Sequence, residues 1–382
     1  MRGRRKGLLG LLLSLTLLLS VYKPVCAQEE IGIGSVWEEY GLEEIGESLD
    51  RMLPGHGPDI RQILDNILAG RLGRAVELTW EGTGEQLLSE LAGMKHLFTI
   101  ILILGILSAL FAHFSDVFSN QQIADISFYF LYLLLAAVLM KAFQEAADIT
   151  RQLVGDIVYF IRLFIPAYFM AVGAAVGAAT AAAYYQLLLL LAYGAESLLF
   201  SFLLPLVYTY VLLALMNGIW AEERLSLLLD FLKKGISTGL KAAIGVITSF
   251  GIFQSMITPV LDSLKNSAVK KAISAIPGIG NLAEGVTEML FGSAVLIKNS
   301  IGLLLLLLLL AVCLIPLVKL LCIACIIKGS AALAGIVSDK RITGCTDRVG
   351  DGSLLLLKTA FTAVALFLII IAITAYTTGR GV

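Results

Sequence analysis

Charge is what this chain has least of. Only 15% of its 382 residues are Asp, Glu, Lys or Arg, against about a quarter in soluble domains. Acidic and basic residues nearly cancel, at a net charge of −1, so nothing supplies the basic footprint of a nucleic-acid binder. Histidine is as scarce: His56, His96 and His113 are all in the first third, and none belongs to a companion motif. The five cysteines are Cys26, Cys313, Cys322, Cys325 and Cys345. They imply no disulfide framework, and Cys322 and Cys325 spell C-x-x-C in an apolar run without a second ligand pair. A Walker A signature is missing too. These absences leave no catalytic residue, cofactor or metal to expect.

Apolar residues make up 58% of the chain and its mean hydropathy is +0.89. Runs such as Ile301–Ile315 approach the roughly 20 apolar residues that cross a bilayer as a helix. The expected fold class is all-α: a polytopic helical membrane protein with about seven or eight spans and a small helical extracytoplasmic N-terminal lobe. The spans expected are Leu97–Phe114, Ile126–Phe143, Leu163–Ala183, Gln186–Met216, Gly235–Ile257, Ser300–Lys319 and Leu354–Thr377. Leu320–Val337 is a doubtful eighth, and Glu196 and Pro205 make Gln186–Met216 either one kinked span or two short ones.

Before these come an export signal and an acidic stretch. Arg2, Arg4, Arg5 and Lys6 precede the apolar core Leu8–Leu19, and Val25-Cys26-Ala27 offers small residues for cleavage before Gln28. Residues 1–27 therefore read as a cleaved signal peptide. Residues 28–92 hold 14 Asp or Glu against 4 Arg, with helical spacing at Ile60, Ile63, Leu64, Ile67 and Leu68. They read as a solvated helical lobe outside the cytoplasm, and residues 93–382 as the membrane domain. A topology starting outside, with Gln186–Met216 as one span, puts residues 259–293 and 338–353 in the cytoplasm. Lys265, Lys270 and Lys271 in the first, and Lys340, Arg341 and Arg348 in the second, agree with the positive-inside rule.

Several patterns need weighing. Gly235-Ile-Ser-Thr-Gly239 has the spelling of a serine nucleophile elbow around Ser237. That elbow needs a strand-to-helix turn and a histidine base, whereas Gly235 and Gly239, like Gly173 and Gly177, suit close helix packing. Glu196 is the ionisable residue standing furthest inside an apolar stretch, which makes it the leading marker of a polar path. Asp262 and Lys265 form an i,i+3 pair on an amphipathic helix. In "AISAIPGIGNLAEG" (272–285), Pro277 disfavours helix at Ile276, Gly278 and Gly280 permit a turn, and Asn281 with Glu284 reads as a capping box. Residues 257–298 thus form a Pro/Gly-broken helical hairpin, at the cytoplasmic face or re-entering the membrane as a gate.

The succession "GISTGLKAAIGVITSFGIFQSMITPVLDSLKNSAVKKAISAIPGIGNLAEGVTEMLFGSAVLIKNSIG" (235–302) resembles the stage III sporulation protein AE family. So does "FSDVFSNQQIADISFYFLYLLL" (114–135), and the likeness covers nearly the full length. The resemblance implies a mother-cell membrane protein of endospore-forming bacteria, lying around the engulfed forespore. Its implied partners are other proteins of the stage III sporulation A operon and stage II sporulation protein Q. Together they would form a channel-like, secretion-related complex that supports late forespore development. It implies no enzyme activity. The alternative is a self-contained small-molecule permease with Glu196 in its path.

Overall fold

The computed structural model describes residues 59–79, 121–176, 178–219, 224–273, 280–335 and 340–379, with Thr99 and Ile103 as isolated positions. Side chains are described over most of these residues, with 251–294 as the longest exception. Long leucine- and alanine-rich runs leave the backbone one way to satisfy its polar groups inside a membrane, which is the helix. Every regular element among the described residues is helical.

Helix α1 is Ile60–Leu68, capped by Asp59, whose Oδ1 accepts from the Arg61 and Gln62 N–H groups. Its apolar face, Ile60, Ile63, Leu64 and Ile67, is buried, and the helix packs on α7 below. A short α2 covers residues 72–79. The long helices follow: α3 Gln121–Val176, α4 Ala178–Ser197, a π-helical segment Leu198–Leu203, α5 Leu204–Asn217, α6 Ser226–Ile273, α7 Gly280–Ala334 and α8 Lys340–Gly379. Of residues 28–92, expected to form an acidic lobe, only 59–79 are described, as α1 and α2 and the residues beside them; the signal peptide and the span Leu97–Phe114 lie outside the described residues, save Thr99 and Ile103.

Contacts far apart in sequence give the helix directions. Phe169 meets Tyr185 edge to face at 5.6 Å, and Arg162 pairs with Glu196. The chain therefore reverses between α3 and α4, and α4, the π segment and α5 run back along α3. At one end of the bundle Tyr132 of α3 meets Cys345 of α8, and Lys233 of α6 and Lys328 of α7 both meet Asp351 of α8. At the other end Tyr168 of α3, Leu188 of α4, Leu305 of α7 and Ile371 of α8 line one small apolar space. We call these the Asp351 end and the Tyr168 end. α3, α6 and α8 leave the Asp351 end, while α4–α5 and α7 return to it. The α7–α8 pair is the most extensive packing, with α3 against both. Phe143, Phe160, Phe164, Tyr210 and Phe367 fill the interior.

Four stretches of the described residues are long and apolar enough to cross a membrane: Phe128–Ala175, Ala181–Asn217, Val295–Ala334 and Lys340–Ala375. Of the expected spans, Leu97–Phe114 and the end of Gly235–Ile257 fall outside the described side chains, save Thr99 and Ile103, and others take a different form. Leu163–Ala183 contains the α3–α4 reversal rather than one span. Ser300–Lys319 and the part of Leu320–Val337 up to Ala334 belong to the single helix α7, which passes through Pro316. Residues 340–353, expected in a loop, are the first turns of α8. Gln186–Met216 is one run, continuous through the π segment. Pro205 stands in the first turn of α5 and has no N–H for the carbonyl four residues back, so a widened register precedes it.

The topology also changes. Because α6 leaves the Asp351 end and α7 returns to it, the α6–α7 connection and the α7–α8 connection stand at opposite ends. The basic residues of 259–293 and 338–353 therefore do not share one side. Pro277 and Gly278 lie outside the described residues, between the last described residue of α6, Ile273, and the first of α7, Gly280.

Candidate functional site, a charged knot at one end of the bundle

Five helices converge at the Asp351 end, and Asp351 joins three of them. Its Oδ2 accepts from Lys233 Nζ of α6 at 2.5 Å, and its Oδ1 lies 2.8 Å from Lys328 Nζ of α7. Lys328 also donates to Asp347 Oδ1 at 2.6 Å. Asp347 and Asp351 are four residues apart, so one face of α8 presents both carboxylates to the same lysine. Asp351 keeps 17% of its side-chain exposure, Lys328 27%, Lys233 39% and Asp347 53%. The centre is sheltered and the rim wet.

Glycines make the knot possible. A Cβ on Gly350 would stand 3.0 Å from the Cγ and Cδ of Lys328, so the bare backbone lets the lysine stem lie along α8. A Cβ on Gly352 would come within 2.2 Å of Val211 Cγ2, so the Val211 side chain of α5 rests directly on the α8 backbone. Tyr132 completes the floor: its hydroxyl donates to the Leu215 carbonyl and sits 3.1 Å from Cys345 Sγ. Gly218 makes room for that ring. Asn217 Oδ1 accepts from the Leu225 N–H at 2.8 Å, tying α5 to the start of α6. The Arg341 guanidinium lies 3.7 Å from the Phe128 ring centroid, a cation–π contact between α8 and α3. This arrangement can lock helix ends together and hold positive charge at one rim.

The residues singled out in the sequence are dispersed. Glu196 is far from the knot, on α4 just before the π segment, where Oε2 accepts from Arg162 Nη2 at 3.1 Å. Asp262 and Lys265 are on α6 beyond the described side chains, and Gly280 is the first residue of α7. Gly173 is half-buried near the end of α3, and Gly177 lies outside the described residues. Gly239 faces the π segment, a Cβ there meeting Leu203 Cδ2 at 3.4 Å, whereas Gly235 is exposed with open space beside it. No neighbour approaches Gly235 among the described residues. Ser237 sits in the middle of the unbroken helix α6, without the strand-to-helix turn an elbow needs. Cys345, expected in a solvated loop, is buried against Tyr132. Cys313 is buried, Cys322 half-buried and Cys325 exposed.

Sequence reasoning missed the knot because it took 338–353 for a loop. The signal was there in Asp347 and Asp351 at helical spacing, with Gly350 and Gly352 interleaved.

Comparison with known proteins agrees with the resemblance. The chain is 22% identical, over 262 residues, to the stage III sporulation protein AE of Bacillus subtilis (strain 168). That match covers 67% of this chain and 64% of the Bacillus protein, just under two thirds of its length. No solved structure matches. The family model described as Stage III sporulation protein AE matches residues 58–378, from α1 almost to the end of α8, and the chain belongs to that family.

Proposed function

We propose that this chain is an integral membrane subunit of a complex connecting mother cell and forespore, needed for late forespore development. Family membership carries the reading; the alternating bundle of long apolar helices supports it. The protein would lie in the mother-cell membrane around the engulfed forespore. It would work there with other proteins of the stage III sporulation A operon and with stage II sporulation protein Q.

Orientation follows from charge. The Asp351 end carries Arg224, Lys233, Lys234, Lys328, Lys340, Arg341 and Arg348, against Lys265, Lys270, Lys271 and Lys298 towards the other end. The positive-inside rule then puts the Asp351 end in the mother-cell cytoplasm. A span over Leu97–Phe114 ahead of α3 places residues 28–92 outside, as a cleaved export signal requires. The α6–α7 connection becomes extracytoplasmic, on the side facing the forespore. α7 starts 22 residues before Gly302, the residue against Tyr168, which is about 33 Å of helix.

Deleting the gene in its own host should arrest sporulation after engulfment, and normal spore yield would contradict the assignment. The purified chain alone should give liposomes no solute flux; flux without partners would favour the permease, although Arg162 already occupies Glu196.

A further inference from the structure

One face of α3 changes character along its length. Towards the Asp351 end it presents Ile126, Phe130 and Leu134, exposed by 70%, 73% and 46%. The same face continues as Lys141, Glu145, Asp148, Gln152, Tyr159 and Arg162, all exposed. Their steps of four, three, four, seven and three keep them on one side of a helix. From Lys141 to Arg162 is 21 residues, about 32 Å of helix, which matches the hydrocarbon thickness of a bilayer.

The level of this stripe is fixed by its neighbours. Phe143 lies against Gly352, and Tyr168 lies against Gly302 and beside Leu305 and Ile371. The stripe therefore runs alongside Leu305–Lys328 of α7 and Gly352–Ile371 of α8, within the two most hydropathic stretches of the protein. On other helices the large side chains exposed at that level are apolar, Leu190 by 67%, Phe202 by 59% and Val246 by 68%, with Lys241 of α6 and Lys358 of α8 as isolated charges among them. Lys141, Glu145 and Asp148 enter no ion pair among the described residues, and Arg162 remains 63% exposed despite Glu196. Exposed charges at hydrocarbon depth are expensive unless they face water.

We infer that this face of α3 is the wall of a water-filled path across the membrane. Two cations and two anions share it, with Arg151 and Asp156 at its margins, so it suits small hydrophilic solutes of either sign. Lys358 of α8 is exposed at the same level and adds to the wet side. The inference rests on the proposed function only for what the path carries.

The test uses the full chain in native membranes, its own cysteines replaced. Single cysteines at Glu145, Asp148, Gln152 and Tyr159, and at Leu190, Phe202 and Val246, are exposed to a membrane-impermeant charged maleimide. A denatured sample of each variant reports total reactive thiol, and protease resistance reports folding. The four stripe positions should label at least tenfold faster than the three apolar ones. Equal slow labelling would overturn the inference, because the stripe would be shielded. Equal fast labelling would overturn it too, because that level would lie outside the membrane. Spore yield after gene deletion is read separately, so a failed complex assignment and a failed path are distinguishable.

Discussion

The Asp351 knot and the α3 stripe hold the same kinds of side chain in opposite circumstances. At the knot, Asp351 is held between two lysines from different helices, and glycines let neighbouring side chains rest on the α8 backbone. Along the stripe, Lys141, Glu145 and Asp148 point outward without partners among the described residues. Sheltered charges answered by opposite charges fasten elements, and a damaged partner leaves a stranded ion. Exposed charges at membrane depth do nothing for packing, so their presence reports what lies outside the chain. The difference separates the part of this protein that keeps its shape from the part that meets water.

If that contrast holds, damage to the knot should destabilise and damage to the stripe should not. The largest effect is expected for Gly352→Val. A side chain placed 2.2 Å from Val211 Cγ2 must push α5 from α8, at a cost of about 3 kcal/mol from overpacking. Thermal unfolding in detergent should show it, and an unchanged Tm would mean the helices do not meet there. Asp351→Ala comes next. It strands Lys233 and leaves Lys328 with Asp347 alone, and with both lysines partly wet the loss should be about 2 kcal/mol rather than the full penalty of a buried pair. Asp347→Ala, at a 53% exposed position, should cost less than about 1 kcal/mol. Equal losses for the two would dissolve the distinction between centre and rim. Asp148→Asn on the stripe should leave the unfolding temperature where it was.

The smallest effect belongs to α1. Asp65 is half-buried and its Oδ1 has no hydrogen-bond partner. Burial, and then the Asp59 charge, raise its carboxyl above the usual range, while Arg61 and Arg71 oppose the rise. The folded state then holds the proton more tightly than the unfolded one. Docking of α1 should be firmest below the ordinary carboxylate pKa and weaken as pH rises through that value towards the raised one. Asp65→Asn should flatten this dependence, read as hydrogen exchange over residues 60–68 at pH 4 and pH 7. A steeper dependence in the variant would show that another group controls the helix.

How much of this was legible in the sequence differs between the same regions. Helical class and the apolar span of α8 follow from local pattern, chiefly run length. The helix boundaries did not follow, because hydropathy runs end at polar residues whether or not the helix does. Residues 340–353 look like a loop by that measure, yet three neighbouring helices shelter their charges and α8 continues through them. Gly235 and Gly239 looked like the packing pair, while the closest approach is at Gly352. Which glycine faces a helix is decided by Val211, 141 residues away in the chain. Glu196 stood out as lone, and its partner Arg162 is found only once the α3–α4 reversal is known.

Along the chain α6 leaves the Asp351 end and α7 returns to it, and under the proposed orientation the α6–α7 connection faces away from the cytoplasm. Single cysteines replacing Ile273 and Lys340, probed from each side of sealed membranes with an impermeant maleimide, test this arrangement most directly. The account predicts labelling of Lys340→Cys from the cytoplasmic side and of Ile273→Cys from the opposite side. Labelling of both from the same side would contradict it.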